Sequence, residues 1–185
     1  MARWLQAIGA IVVILLLVLA YGGMSSIRYG LTDRQYDRIN KATETADVAE
    51  LNRLLVELRS PEGKTIVMYW IDQFSDSSSL PALVKTLSYD LSWLDRLDSE
   101  LKPTPDEVRF SAYDSIVKYG PERAADIVYP LLQDKNSFTR LYAAGIILRW
   151  GDPKGETVLD EIIGSKNKRL TLEAERVKRV AKTGR

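Results

Sequence analysis

Ala112, Ala143 and Ala174 stand 31 residues apart, and the same interval separates Arg109 from Arg140, Ile116 from Ile147 and Tyr119-Gly120 from Trp150-Gly151. Downstream, Ile127, Val128, Leu131 and Leu132 map onto Val158, Leu159, Ile162 and Ile163, and Asn136 maps onto Asn167. Self-similarity at a fixed period of about 20–50 residues marks an architecture of stacked units, none of which can bury its apolar face alone. This constrains the fold more than any other feature of the chain.

Each unit reads as two helices. Val108, Ala112, Ile116 and Tyr119 share one face at helical spacing, Gly120 suits the position just past a helix end, and Pro121 suits the first turn of the next helix. The following unit repeats this as helices over 138–150 and 156–163, separated by Gly151-Asp152-Pro153. Small Ala at the same register in each first helix predicts close contact between neighbouring units there. An earlier unit is displaced by about 45 residues, with Val67, Ile71 and Phe74 matching Ala112, Ile116 and Tyr119. The extra length, about four turns at 3.6 residues each, predicts a long second helix over 81–101. Leu87, Leu91, Leu94 and Leu101 would lie on its buried face, and Pro103-Thr104-Pro105 would end it. Helices are also expected over 46–59 and 168–182, with a short one over 33–42 behind a Thr32/Gln35 capping box.

Ahead of this lies an uncharged run from Trp4 to Ile27, bounded by Arg3 and Arg28. A helix of roughly 20 apolar residues crosses a ~30 Å hydrocarbon core. Trp4 and Tyr21 would then stand about 25 Å apart, one near each membrane–water interface. The run reads as an uncleaved anchor, as a signal peptide cut near Ala20 or Gly22, or as a buried core helix, and its length favours the anchor. The expected fold class is therefore all-α: an N-terminal single transmembrane helix followed by a short α-solenoid of helix pairs. Residues 1–27 form the anchor, 28–45 a juxtamembrane linker with a short helix, and 46–185 the solenoid. The expected location is single-pass in a bacterial inner membrane. Arg28, Arg34, Arg38 and Lys41 favour a cytoplasmic module under the positive-inside rule, whereas the short leading tail favours an exported one, which is the side expected here.

Composition removes most chemistry. The 26 basic and 25 acidic residues balance, so nucleic acid is not an expected partner. The chain has no cysteine and no histidine, which excludes disulfides, thiolate catalysis and histidine-dependent triads and argues against zinc. Gly63-Lys64-Thr65 resembles the end of a phosphate loop, but Leu58 stands where that motif needs glycine, so a helix-connecting loop is expected there. The acidic residues between Asp90 and Glu107 lack the spacing of a calcium loop. No catalytic residue, cofactor or metal site is expected.

The stretch from Arg140 through Ala143 and Ala144 to Gly151-Asp152-Pro153 resembles the HEAT-like repeat of the PBS-lyase type. The resemblance spans roughly 64–182 and is strongest over 106–164. It implies a right-handed stack of helix pairs serving as a binding surface, and carries no lyase activity with it. The expected function is a non-enzymatic, membrane-tethered adaptor or accessory subunit. It would contact the bilayer through residues 4–27 and bind a protein partner through the solenoid. The alternative is a secreted or anchored enzyme-like HEAT protein such as a bilin-lyase-like chromophore carrier. Trp93, at the edge of the leucine stripe, is a candidate partner contact or a core residue. Lys168, Arg169, Arg176 and Arg179 form a candidate basic patch.

Overall fold

The computed structural model describes residues 30–91 and 103–184. Among them are nine α-helices and no strand: α1 Asp33–Glu44, α2 Val48–Glu57, α3 Pro61–Phe74, α4 Leu80–Thr86, α5 Pro105–Tyr119, α6 Pro121–Val128, α7 Ser137–Arg149, α8 Lys154–Ile163 and α9 Lys168–Thr183. Their starts follow from capping chemistry. Thr32 and Thr104 form capping boxes with Gln35 and Glu107. Asp47, Ser60, Asn136 and Asn167 accept hydrogen bonds from first-turn amides of α2, α3, α7 and α9. The match of Asn136 to Asn167 is thus a repeated N-cap. Pro130 ends α6, since it cannot donate to the helical ladder, and the chain continues as a 3-10 turn over Tyr129–Gln133.

The helices form two layers in a solenoid-like stack. In the first layer α3 packs on α5, α5 on α7 and α7 on α9; in the second, α2 packs on α4 and α4 on α6. α8 is clasped between α7 and α9, and α1 covers α2. One core runs through the stack, from Ile39 and Ala42 to Ala174 and Val177. Eight of the 13 residues of α7 are buried, so this helix is apolar on nearly every side.

Ala112, Ala143 and Ala174 are fully buried, as the repeat predicts. The closest approach, though, is at Gly145. A Cβ there would overlap Val177 of α9 and lie 3.2 Å from the ring of Tyr113 on α5. Within the α7–α8 pair, a Cβ on Gly155 would overlap the Ala144 carbonyl and lie 2.5 Å from the Leu148 amide nitrogen. At Gly155 backbone touches backbone, whereas at Gly145 side chains of both neighbouring helices fill the space.

Three expectations are corrected. Among the described residues no helix is long and apolar enough to cross a membrane. The described residues are therefore all-α with no membrane-spanning helix among them, and they do not carry single-pass placement in a bilayer. Residues 4–27, with Trp4 and Tyr21, lie outside the described residues. The long second helix over 81–101 is not formed: α4 stops at Thr86, and Leu87 and Leu91 are buried outside it. Leu94, Leu101 and Trp93 lie outside the described residues. Gly63-Lys64-Thr65 is the first turn of α3, not a loop, because Ser60 and Pro61 start a helix ahead of it.

Candidate interaction surface

The register pairs more than apolar residues. Lys64, Arg109, Arg140 and Thr171 occupy the same position near the start of α3, α5, α7 and α9, displaced by the intervals of 45, 31 and 31 residues. Each donates from its side chain to backbone carbonyls just past or within the last turn of the preceding second-layer segment. Lys64 Nζ reaches the carbonyl of Leu55 in α2. Arg109 reaches that of Tyr89, beyond α4. Arg140 reaches those of Asp134 at 2.6 Å and Lys135 at 3.3 Å, after the 3-10 turn. Thr171 Oγ1 reaches those of Ile163 at 3.3 Å and Ser165 at 3.4 Å, at the end of α8. Terminal carbonyls of a helix have no intrahelical partner, and the helix dipole favours a donor or cation beside them. That account fits Leu55 and Ile163, which lie in the last turns of α2 and α8, whereas Tyr89, Asp134 and Lys135 lie in the connections that follow α4 and the 3-10 turn. One side chain per unit thus fastens the start of a first-layer helix to the end of the helix before it or to the connection after that helix.

A second tie lies at the other end of the first-layer helices. Tyr119 donates its hydroxyl to the Asp76 carbonyl at 2.9 Å, and Trp150 donates Nε1 to the Val117 carbonyl at 3.4 Å. These are the aromatic residues that recur 31 positions apart. Lys118 adds an ion pair to Asp72 of α3 at 2.6 Å.

The Arg109 tie is the most enclosed. The side chain is fully buried, and its guanidinium also reaches Asp106 and lies 4.0 Å from the centroid of the Phe138 ring. Arg169 of α9 pairs with the same Asp106 at 3.2 Å and lies 5.1 Å from the same ring. Nearby, Tyr142 donates to the buried carboxylate of Glu173 at 2.6 Å, joining α7 to α9. Burial first, and then the Glu173 charge, push the Tyr142 hydroxyl far above its ordinary range, so it stays a donor. Lys64 is the counterpart with little compensation. Burial, and then the charge of Lys85, lower its ammonium to about 8.

Of the expected basic patch, Arg169 and Arg176 are half-buried and engaged. Arg176 lies 4.5 Å over Phe110 and 3.4 Å from Glu173. Lys168 and Arg179 are exposed. Lys178 and Lys182, on the flank of α9 that faces α8, pair with Glu156 and Asp160. The patch is therefore two structural arginines and two surface cations. Two features went unread in the sequence. Leu172 is 58% exposed on α9, two residues from the buried Leu170 and so off the buried stripe. Tyr69, equally exposed on α3, packs edge-on to Trp70, which stacks on Phe74. Leu172 was legible from its phase against Leu170, Ala174 and Val177.

An open groove of about 440 Å³ runs past the starts of α7 and α9, with Leu132, Val158, Ile162 and Leu170 as apolar lining and Arg140 and Lys166 beside them. Among the described residues no group of histidine, cysteine or carboxylate side chains is placed to hold a metal ion. No family model, curated protein or solved structure matches the chain.

Proposed function

We propose that the protein is a non-enzymatic scaffold, a HEAT-like α-solenoid that binds a protein partner on its helical surface. The observation that carries this reading is the tie repeated at four successive junctions, from Lys64 to Thr171. Nearly every buried polar group named above is used to join one helix to the next. Such a network holds an extended surface in fixed shape, which is what a stacked-repeat binding protein needs. A sequence without histidine or cysteine supports the same reading, since it leaves few groups able to activate a nucleophile. The HEAT-like pattern from Arg140 to Pro153 agrees with a scaffold role.

The test is crosslinking of the full-length chain at its native level of expression, with mass spectrometry of the products. A single protein crosslinked in stoichiometric amount, through residues of one face of the stack, supports the scaffold. A covalently or tightly bound chromophore, or turnover by the purified chain, contradicts it.

A further inference from the structure

The two flanks of α9 differ. On the inner one, Lys178 reaches Glu156 at 2.9 Å and Asp160 at 2.6 Å, and Lys182 reaches Glu156 at 2.5 Å. Cations of α9 thus grip the acidic, amphipathic helix α8. The outer flank is the stripe Lys168, Leu172, Glu175 and Arg179, a single face at helical spacing. All four are exposed.

The repeat shows what such a face is for. Leu172, Glu175 and Arg179 stand 31 residues after Leu141, Ala144 and Leu148 of α7. There, Leu141 and Ala144 are fully buried, and α8 lies so close that Gly155 meets the backbone at Ala144 and Leu148. The face of α7 receives a helix, whereas the same face of α9 is open. It has also changed character. An alanine and a leucine have become Glu175 and Arg179, and the leucine that remains is bracketed by Lys168 and Arg179.

We propose that the outer flank of α9 binds an acidic amphipathic helix of a partner protein, laid along α9 as α8 is laid along α7. Leu172 supplies the central apolar contact. Lys168 and Arg179, about 16 Å apart along the axis, take carboxylates roughly three turns apart on the partner. Glu175 keeps the two backbones farther apart than the Gly155 contact allows on α7, so the contact is made through long side chains. This rests on the scaffold reading and gives its partner a chemistry.

The probe is a side-chain-stapled helical peptide with a leucine stripe flanked by glutamates, and a counterpart in which lysines replace the glutamates. Binding to the full-length chain is read by fluorescence anisotropy. The glutamate peptide should bind the unaltered chain, with Kd raised about tenfold by Leu172→Glu, an effect of the size expected for one lost anchor. The double variant Lys168→Glu/Arg179→Glu should reverse the preference and take the lysine peptide. These positions are exposed, and an unchanged circular dichroism spectrum will confirm that the variants fold. Equal binding to all variants, or none, overturns the proposal. So does Leu172-dependent self-association in sedimentation, or capture of phosphatidylglycerol vesicles in preference to the peptide, since each gives the flank to another occupant. A crosslinked partner that the double variant retains defeats this inference and leaves the scaffold reading standing; absence of any crosslinked partner defeats that reading itself.

Discussion

Arg109 and Thr171 hold the same register position and do the same job at very different strengths. Arg109 has no exposed surface, joins the Tyr89 carbonyl and Asp106, and lies against Phe138. Thr171 offers a single hydroxyl, half-exposed, at 3.3 and 3.4 Å from two carbonyls. A charged donor in a dry site makes a stronger hydrogen bond than a neutral one at the surface, and is costlier to leave unmatched. The strong tie thus lies where α5 is covered on both sides, and the weak one where α9 joins α8.

The first way to break that comparison is Arg109→Met. It removes the Arg109 donor from the Tyr89 carbonyl and leaves the Arg169 pair with Asp106 in place. Hydrogen bonds of a charged group contribute about 1.5–3 kcal/mol, a loss read as a lower midpoint in urea denaturation. A midpoint close to that of the unaltered chain would make the junction decorative. Next is Gly155→Ala, which tests backbone contact without touching any tie. Overpacking of this kind costs about 1–3 kcal/mol. If thermal melting shows no loss, α8 is not seated on α7 as described.

Lys64 sharpens the comparison through pH. Its ammonium lies at about 8 in the folded chain, against an ordinary value of 10.5 when exposed. Between those values the unfolded chain holds the extra proton, so stability should rise with pH across that window. Below about pH 8 the charged amine stays buried, and the gain is absent. Comparing the pH dependence of the denaturation midpoint with that of Lys64→Met isolates the effect. Parallel curves from pH 8 to 10.5 would show that Lys64 is not buried in this way. The smallest effect belongs to Thr171→Val, which loses one neutral, partly exposed hydrogen bond worth about 0.5–1.5 kcal/mol. A loss as large as that of Arg109→Met would erase the difference between the two junctions.

Much of this was legible in the chain. Thr32 with Gln35, Gly120 before Pro121, and the buried alanines each carry a local rule, and the elements they predict are present. Arg109 and Arg140 were legible as register marks but not as ties, because their acceptors are carbonyls, which every residue has and no sequence pattern reveals. Lys64 was hidden by the glycine before it, which suggests a loop unless Ser60-Pro61 is given more weight as a helix start. The leucine spacing over 81–101 is helical in phase. Even so, the chain turns at Leu87-Ser88, and beyond it the Tyr89 hydroxyl donates to the Arg59 carbonyl at 2.8 Å while the Tyr89 carbonyl accepts from Arg109. Tertiary hydrogen bonds there override an apolar period. The candidate surface was half legible: four cations of α9 were singled out, but which of them point inward depends on Asp106, Phe138, Glu173 and Phe110, all on neighbouring segments or turns.

The central claim is that one side chain per unit couples a first-layer helix to the end of the helix before it or to the connection after that helix. Native-state hydrogen exchange of Arg109→Met against the unaltered chain tests this most directly, since repeat stacks open by units rather than as a whole. Protection should fall together in α5 and in α4, whose following segment Arg109 holds at Tyr89, and fall less in α8 and α9. An equal loss in every helix, or a loss in α5 with α4 untouched, would contradict it.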